Sequence, residues 1–220
     1  MSSYIKKHNS NYSKILDILF SIALSLVVIL CSVKLTLSFK QIYYFDINYL
    51  NIPAITNMTE KDIKSNYDYL INYNLSIEEK DFKLPTLPSS TYGKIHFEEV
   101  RDIFQTLDKL LYICIGISML GVFIDFKNKN FKFLKYTYIS LICIPIILGL
   151  PFIINFDASF ILFHKLAFSN NYWIFDPNLD PVINILPQEF FFHEAMLILT
   201  IIFGTSFIFR YLYRKLIKKS

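Results

Sequence analysis

Only five glycines occur in 220 residues, and none falls in a Walker pattern. A phosphate cradle needs glycine where backbone N–H groups close on the anion. Neither ATP nor a dinucleotide is therefore indicated, and no cofactor is expected. The chain has no Gly-x-Ser-x-Gly elbow to present a serine nucleophile. It also lacks His-Glu-x-x-His, a histidine pair at i, i+4 and any cysteine cluster of zinc-site spacing, so no metal is expected. The three cysteines, Cys31, Cys114 and Cys143, each sit in a different apolar run, where a thiol packs as a small hydrophobe and a disulfide is not expected. Charged residues make up 18% of the chain against 54% hydrophobic, and no basic patch is interleaved with aromatics, so the net charge of +4 does not point to nucleic acid. Internal repeats are missing too, which speaks against repeat-built transporters with polar groups at the midplane.

What is present is apolar sequence. Four runs reach bilayer-spanning length: Ile15 to Leu37, Leu107 to Ile124, Tyr136 to Phe156 and Ala195 to Tyr213. In hydrocarbon every backbone donor and acceptor needs a partner within the segment, so these runs are expected to be helices. The first follows Lys6, Lys7 and Lys14 but is too long for a signal sequence and lacks a small-residue cleavage site, so it is read as a retained helix. Lysine and arginine orient the chain. Lys127, Lys129, Lys132 and Lys135 fill the second short connection, and Arg210, Arg214, Lys215, Lys218 and Lys219 fill the tail. The connection from Asp157 to Glu194 holds only Lys165 against Asp157, Asp176, Asp180, Glu189 and Glu194. The expected fold is an all-α membrane protein forming one integral membrane domain over 1–220. It has four transmembrane helices, both termini cytoplasmic, a small extracellular lid between helices 1 and 2, and a second extracellular loop between helices 3 and 4.

The lid, 38–106, is the single candidate subdomain. Its start, LSFKQIYYFDINYLNI, is rich in aromatic and β-branched residues and could form a strand or two. From Thr59 to Ile77, Ile63, Tyr67, Leu70 and Ile71 recur at helical spacing, with Thr59 placed as a cap. The stretch KLPTLPSSTYG is turn material. After it His96, Val100, Ile103, Leu107 and Leu111 share one face of a helix running into the membrane, and Glu99 can approach His96 along its surface.

Polar chemistry is concentrated in FHKLAFSNNYWIFDPNLDPVINILPQEFF, between the third and fourth runs. Asp157 is expected to cap a short helix that puts His164 on a face with Phe160, Ala167 and Phe168. Asp176-Pro177 and Asp180-Pro181 each look like a cap followed by proline at the first helical position, and Pro187 opens the last helix. Tyr172 and Trp173 suit the headgroup level. Among the four histidines, His8 reads as solvated and His193, four residues after Glu189, as a satisfied interfacial side chain. His96 and His164 are both expected at the outer boundary at one depth, where an ionisable group beside an apolar core is costly and is a functional candidate. A zinc set of His96, His164 and Asp176 is the sharp alternative; a solvated or packing role for each is the plain one.

The stretches SNYDYLINYNLS, LPSSTYGKIHFEEVRDIF and the polar segment, in that order on four helices, resemble the lipoprotein intramolecular transacylase family, Lit. The likeness covers nearly the whole chain, and the third stretch is its most specific part. The resemblance implies a membrane enzyme, an acyltransferase whose partners are membrane lipid and a lipoprotein bearing diacylglyceryl on its amino-terminal cysteine. It moves the sn-2 acyl chain to the cysteine α-amino group and leaves a lyso-form lipoprotein. The family's catalytic histidines map to His96 and His164. On this reading His96 is the base toward the amine and His164 polarises the ester or protonates the leaving oxygen, with the roles exchangeable. An acyl-histidine intermediate is also open. Asn170, Asn171 and Tyr172 are candidate oxyanion donors, Phe160, Phe163 and Phe168 candidate walls for acyl chains, and Glu99, Asn170, Trp173 and Asp176 candidate substrate-orienting residues. The competing class is a non-catalytic membrane sensor or accessory protein that binds a partner through its extracellular lid.

Overall fold

The computed structural model describes residues 2–78 and 81–218, with side chains from residue 14 onward. Lys6, Lys7 and His8 thus fall where the backbone alone is described, and Lys219 lies outside the described residues. The chain runs α1 (Ser2–Ser38), α2 (Gln41–Tyr49), α3 (Ile52–Thr56), α4 (Glu60–Leu75), α5 (Thr91–Lys127), α6 (Lys132–Ile154), α7 (Phe156–Ala167), a 3₁₀ turn (Pro181–Ile185) and α8 (Gln188–Ile217). Four helices carry spans long and apolar enough to cross a membrane: Lys14–Ser38, Thr91–Lys127, Lys132–Ile154 and Gln188–Ile217. No strand occurs among the described residues.

Two compact units make up the fold. The first is Met1–Val33, Lys109–Leu150 and Ile198–Ser220. Its helices bury little of themselves: in the most apolar window of α6 only 17% of residues lie inside the protein. Ile146, Ile147 and Leu148 point outward, a surface that lipid, not water, would cover. Where lipid is as apolar as leucine, helices associate through close packing and polar contacts. Both occur here. A Cβ at Gly121 would collide with the Phe20 ring, so α1 and α5 touch where glycine permits it. Ser21 Oγ donates to the Phe133 carbonyl at 2.9 Å and Ser206 Oγ to the Tyr138 carbonyl at 2.9 Å. Asn130 Nδ2 donates to Asp17 at 2.7 Å, tying the α5–α6 turn to α1.

The second unit is Lys34–Asp108 and Pro151–Leu197. It has a dense aromatic core. Ile63, Tyr67, Leu70 and Ile71 of α4, on the face read from the sequence, pack with Tyr43, Ile47, Phe82, Phe97, Val182, Ile185 and Phe190. Tyr43 and Tyr67 stack at 3.7 Å between centroids, and Phe190 meets both edge-on at 5.1 and 5.7 Å. Burying each such side chain contributes about 1.5–3 kcal/mol relative to exposure. The stretch expected to form strands is instead α2 and α3. Its buried residues Tyr43, Asp46 and Ile47 stand at i, i+3 and i+4, the helical period, and this outweighs aromatic β-propensity. Asn51 and Asn57, both at φ 54°, make the left-handed corners around α3 that asparagine tolerates.

Capping follows the sequence in part. Thr59 accepts from the Asp62 N–H at 3.1 Å, as expected, and α8 begins directly after Pro187. The cap of α7, however, is Asn155, whose side chain accepts from the Ala158 N–H at 3.0 Å. Asp157 lies in the first turn, where its charge still suits the helix dipole. Asp176-Pro177 opens a turn, not a helix. Asp180 stands before the 3₁₀ turn without capping it. Buried Asn66 donates to Thr86 Oγ1 at 2.6 Å and accepts from the Thr86 N–H at 3.2 Å, which pins the turn-rich segment onto α4.

Candidate active site

The start of α5 is fixed by residues far apart in the chain. Ser90 accepts from the Gly93 N–H at 2.9 Å and caps the helix. Ser90 in turn donates its N–H and its hydroxyl to the Asp180 carboxylate, at 2.7 and 2.6 Å. Gly93 lies so close to that carboxylate that a Cβ would overlap it. Three residues further along α5 stands His96, 6% exposed. Its ring meets Phe168 at 4.7 Å, Phe175 at 5.4 Å and Phe97 at 5.5 Å, and its Nδ1 is buried without a partner among the described residues.

His164 comes from the last turn of α7. The two imidazole centroids are 6.2 Å apart with planes 34° from parallel, so one atom between them lies within hydrogen-bond reach of both rings. His164 Nδ1–H donates to the Phe160 carbonyl at 2.8 Å. That bond selects the tautomer and leaves the Nε2 lone pair as the reactive feature. Burial holds the His164 imidazole below its ordinary range, with the Phe160 bond opposing. Phe160 at 4.0 Å, Trp173 at 4.8 Å and Phe163 at 5.3 Å wall the ring. Phe168 lies against both histidines, 5.7 Å from His164.

Asn170 joins the two halves. Its Nδ2 donates to Glu99 Oε1 at 2.6 Å, its Oδ1 accepts from the Tyr172 N–H at 3.0 Å, and its carbonyl accepts from Trp173 Nε1–H at 3.1 Å. Glu99, Asn170, Trp173 and the two histidines, singled out from the sequence, therefore form one connected set. Asp176 stands apart, exposed, with its carboxylate accepting from the Asn178 N–H at 2.9 Å and side-chain amide at 3.0 Å. Among the described residues no three His, Cys, Asp or Glu side chains are grouped to hold a metal. Missed from the sequence were the Ser90–Asp180 clamp and the Tyr92–Tyr172 stack, 4.5 Å between centroids and 14° from parallel. The serine before Thr91-Tyr92-Gly93 was a readable cap signal; its carboxylate partner, 90 residues on, was not.

A helical membrane protein with two converging imidazoles in an aromatic box is the class these features define. A family model described as lipoprotein intramolecular transacylase Lit matches residues 18–191, and the chain belongs to that family. Among solved structures it is similar to the membrane integral lipoprotein intramolecular transacylase Lit from Bacillus cereus, with 42% identity over 96% of this chain and 98% of that one and a TM-score of 0.91. Two variants of the Bacillus cereus protein, with a histidine replaced by arginine or by alanine, match at 40% identity over 100% of this chain and 98% of theirs, with TM-scores of 0.90 and 0.88. No curated protein sequence matches the chain.

Proposed function

We propose that the protein moves the sn-2 acyl chain of a diacylglyceryl-modified lipoprotein to the α-amino group of its amino-terminal cysteine, with His96 and His164 as the catalytic pair. Exchanging an ester and an amine for an amide and an alcohol runs downhill, so no nucleotide is needed. Donor and acceptor belong to one molecule, and holding both in reach supplies much of the rate.

The bond from His164 to the Phe160 carbonyl supports assigning the base to His164, the exchanged form of the roles set out above. The amine attacks the ester carbonyl, and its proton passes to His164 Nε2. The tetrahedral oxyanion takes a hydrogen bond from neutral His96. As the C–O bond breaks, His164 returns the proton to the sn-2 oxygen. Amide and free hydroxyl result, and both imidazoles end as they began. Their separation of 6.2 Å is the observation that carries this reading. Glu99 and Asn170 orient the loop and Trp173 orients the His164 ring. Asp176 orders the following turn, while Phe160, Phe163 and Phe168 border the acyl chains. The Tyr172 N–H serves Asn170, so an oxyanion contact from Tyr172 would come from its hydroxyl.

The asymmetry of lysine and arginine supports placing both termini in the cytoplasm and the histidines at the outer face, with 38–106 as a lid. The test is expression in a bacterium whose lipoproteins begin in the diacylglyceryl form, followed by mass spectrometry of a lipoprotein amino-terminal peptide. An acyl group found on nitrogen, with lyso-glyceryl on sulfur, supports the transfer. Unchanged lipid beside well-folded protein overturns it and favours the sensor or accessory reading.

A further inference from the structure

His193 is not an isolated interfacial histidine. Its Nδ1–H donates to Asp46 Oδ1 at 2.8 Å, pairing α8 with α2 across 147 residues of sequence. Asp46 is fully buried at 0% exposure, and its second oxygen has no partner among the described residues. Among the described residues Glu194, the next residue on α8 and 6% exposed, has neither carboxyl oxygen partnered, and the buried Tyr67 hydroxyl is unpartnered as well. The Asp46 carboxylate, with one oxygen on His193 and the other turned to no donor among the described residues, is the acceptor-rich feature of this locality.

In front of them lies a cavity of ≈ 520 Å³ bordered by Phe39, Ile42, Phe45, Tyr49, Asp46 and His193. That volume takes a headgroup and the first methylenes of a chain. Phe39 directly follows α1, a membrane-crossing helix, and is 51% exposed; Phe45 is 62% and Tyr49 66% exposed. The Phe45 and Tyr49 rings stack at 5.2 Å, and Tyr49 stands 6.0 Å from the His193 ring. Exposed aromatics at the end of a membrane helix meet lipid. Their π-faces attract cations, most strongly where carboxylates lie behind.

Charge complementarity selects the occupant. An anionic headgroup would face the Asp46 carboxylate, which borders the cavity, unfavourably. A quaternary ammonium satisfies that charge but has no hydrogen to donate. A primary ammonium does both: it can donate to His193 Nε2, the nitrogen left free by the Asp46 bond, in a cavity that Gln41 also lines. We propose that this cavity binds the primary-ammonium headgroup of a membrane phospholipid, with its acyl chain along Phe39 and Ile42. The site is separate in residues from the His96–His164 centre, and it stands whether or not the transacylase reading holds.

The full chain, purified in detergent, would be incubated with mixed micelles of phosphatidylethanolamine, phosphatidylcholine and phosphatidylglycerol in equal amounts, then read by native mass spectrometry. Charge-assisted hydrogen bonds to the ammonium predict retention of phosphatidylethanolamine about tenfold over phosphatidylcholine. His193→Gln, Tyr49→Leu and Gln41→Leu should each reduce that preference. The last two lie at the cavity surface, so they keep the test open if His193→Gln fails to fold. His96→Gln should keep the preference, and its loss there would place the lipid at the other site and overturn the proposal. Equal retention of the two zwitterionic lipids, preference for phosphatidylglycerol, or undiminished preference in all three cavity variants would also overturn it.

Discussion

His164 and His193 are the same side chain in two settings. Rings surround His164, and among the described residues its hydrogen-bond partner is a neutral backbone carbonyl; the Nδ1 of its companion imidazole, His96, has no partner among those residues. His193 instead leans on a fully buried carboxylate. An apolar box with neutral acceptors favours an uncharged imidazole, ready to accept a proton, whereas a buried carboxylate holds the ring it faces in one orientation. On the proposed function, proximity to an acid is thus a poor guide to which histidine does chemistry. The neutral pair has what proton transfer to an oxygen or nitrogen centre requires.

The largest expected effect tests that contrast directly. His96→Gln or His164→Gln should each lower transacylation by about 10² to 10⁴, the usual worth of acid–base help. The double variant should be little worse than either single, because the two act on one step. Lipid analysis of a co-expressed lipoprotein, normalised to folded protein, measures both. Independent, multiplying losses would mean that the rings serve separate steps.

Next in size is the frame that delivers His96. Gly93→Ala forces a methyl group against the Asp180 carboxylate, and overpacking of this kind costs about 1–3 kcal/mol. The melting temperature in detergent should fall and activity should fall with it. Gly116→Ala is the matched control, since a Cβ there meets nothing within 4 Å. Equal effects at the two glycines would show that the Asp180 contact does not position α5.

Asn170→Ala comes third. It removes the donor to Glu99 and leaves a part-buried carboxylate without its partner, a loss of about 1–3 kcal/mol. If that cost is felt at the reacting geometry, kcat falls about 5- to 30-fold while the protein still folds. A variant with unchanged kcat and a lower melting temperature would confine Asn170 to stability.

How far these residues could be read from the chain divides by range. The four spans were legible because lipid demands long apolar runs, and His96 because its spacing with Val100, Ile103, Leu107 and Leu111 is helical. Thr59 announced itself as a cap for the same reason: its partner, Asp62, is three residues away. Asp180 was misread as a cap because a local proline rule applied, whereas its actual donors sit on Ser90. The Asp46–His193 pair left no local trace. Nor did period alone separate strand from helix over 39–56, where aromatic content argued one way and the burial of Tyr43, Asp46 and Ile47 the other.

The finest probe of the two settings is pH. Burial lowers the proton affinity of His164, so the ring stays neutral, and able to accept the amine proton, until pH drops below the ordinary imidazole value of 6.5. The acid limb of kcat/KM should therefore fall below that value, provided the amine's own titration, with pKa near 8, is separated by varying the substrate. Trp173→Phe sharpens the point. It keeps an aromatic ring beside His164 but removes the indole, and with it the bond to the Asn170 carbonyl. Water then reaches the imidazole more easily, desolvation weakens, and the limb should move to higher pH, with only a modest loss of rate at neutral pH. A limb that stays in place in Trp173→Phe, or that lies above 6.5 in the unaltered protein, would mean that the aromatic wall does not tune the base.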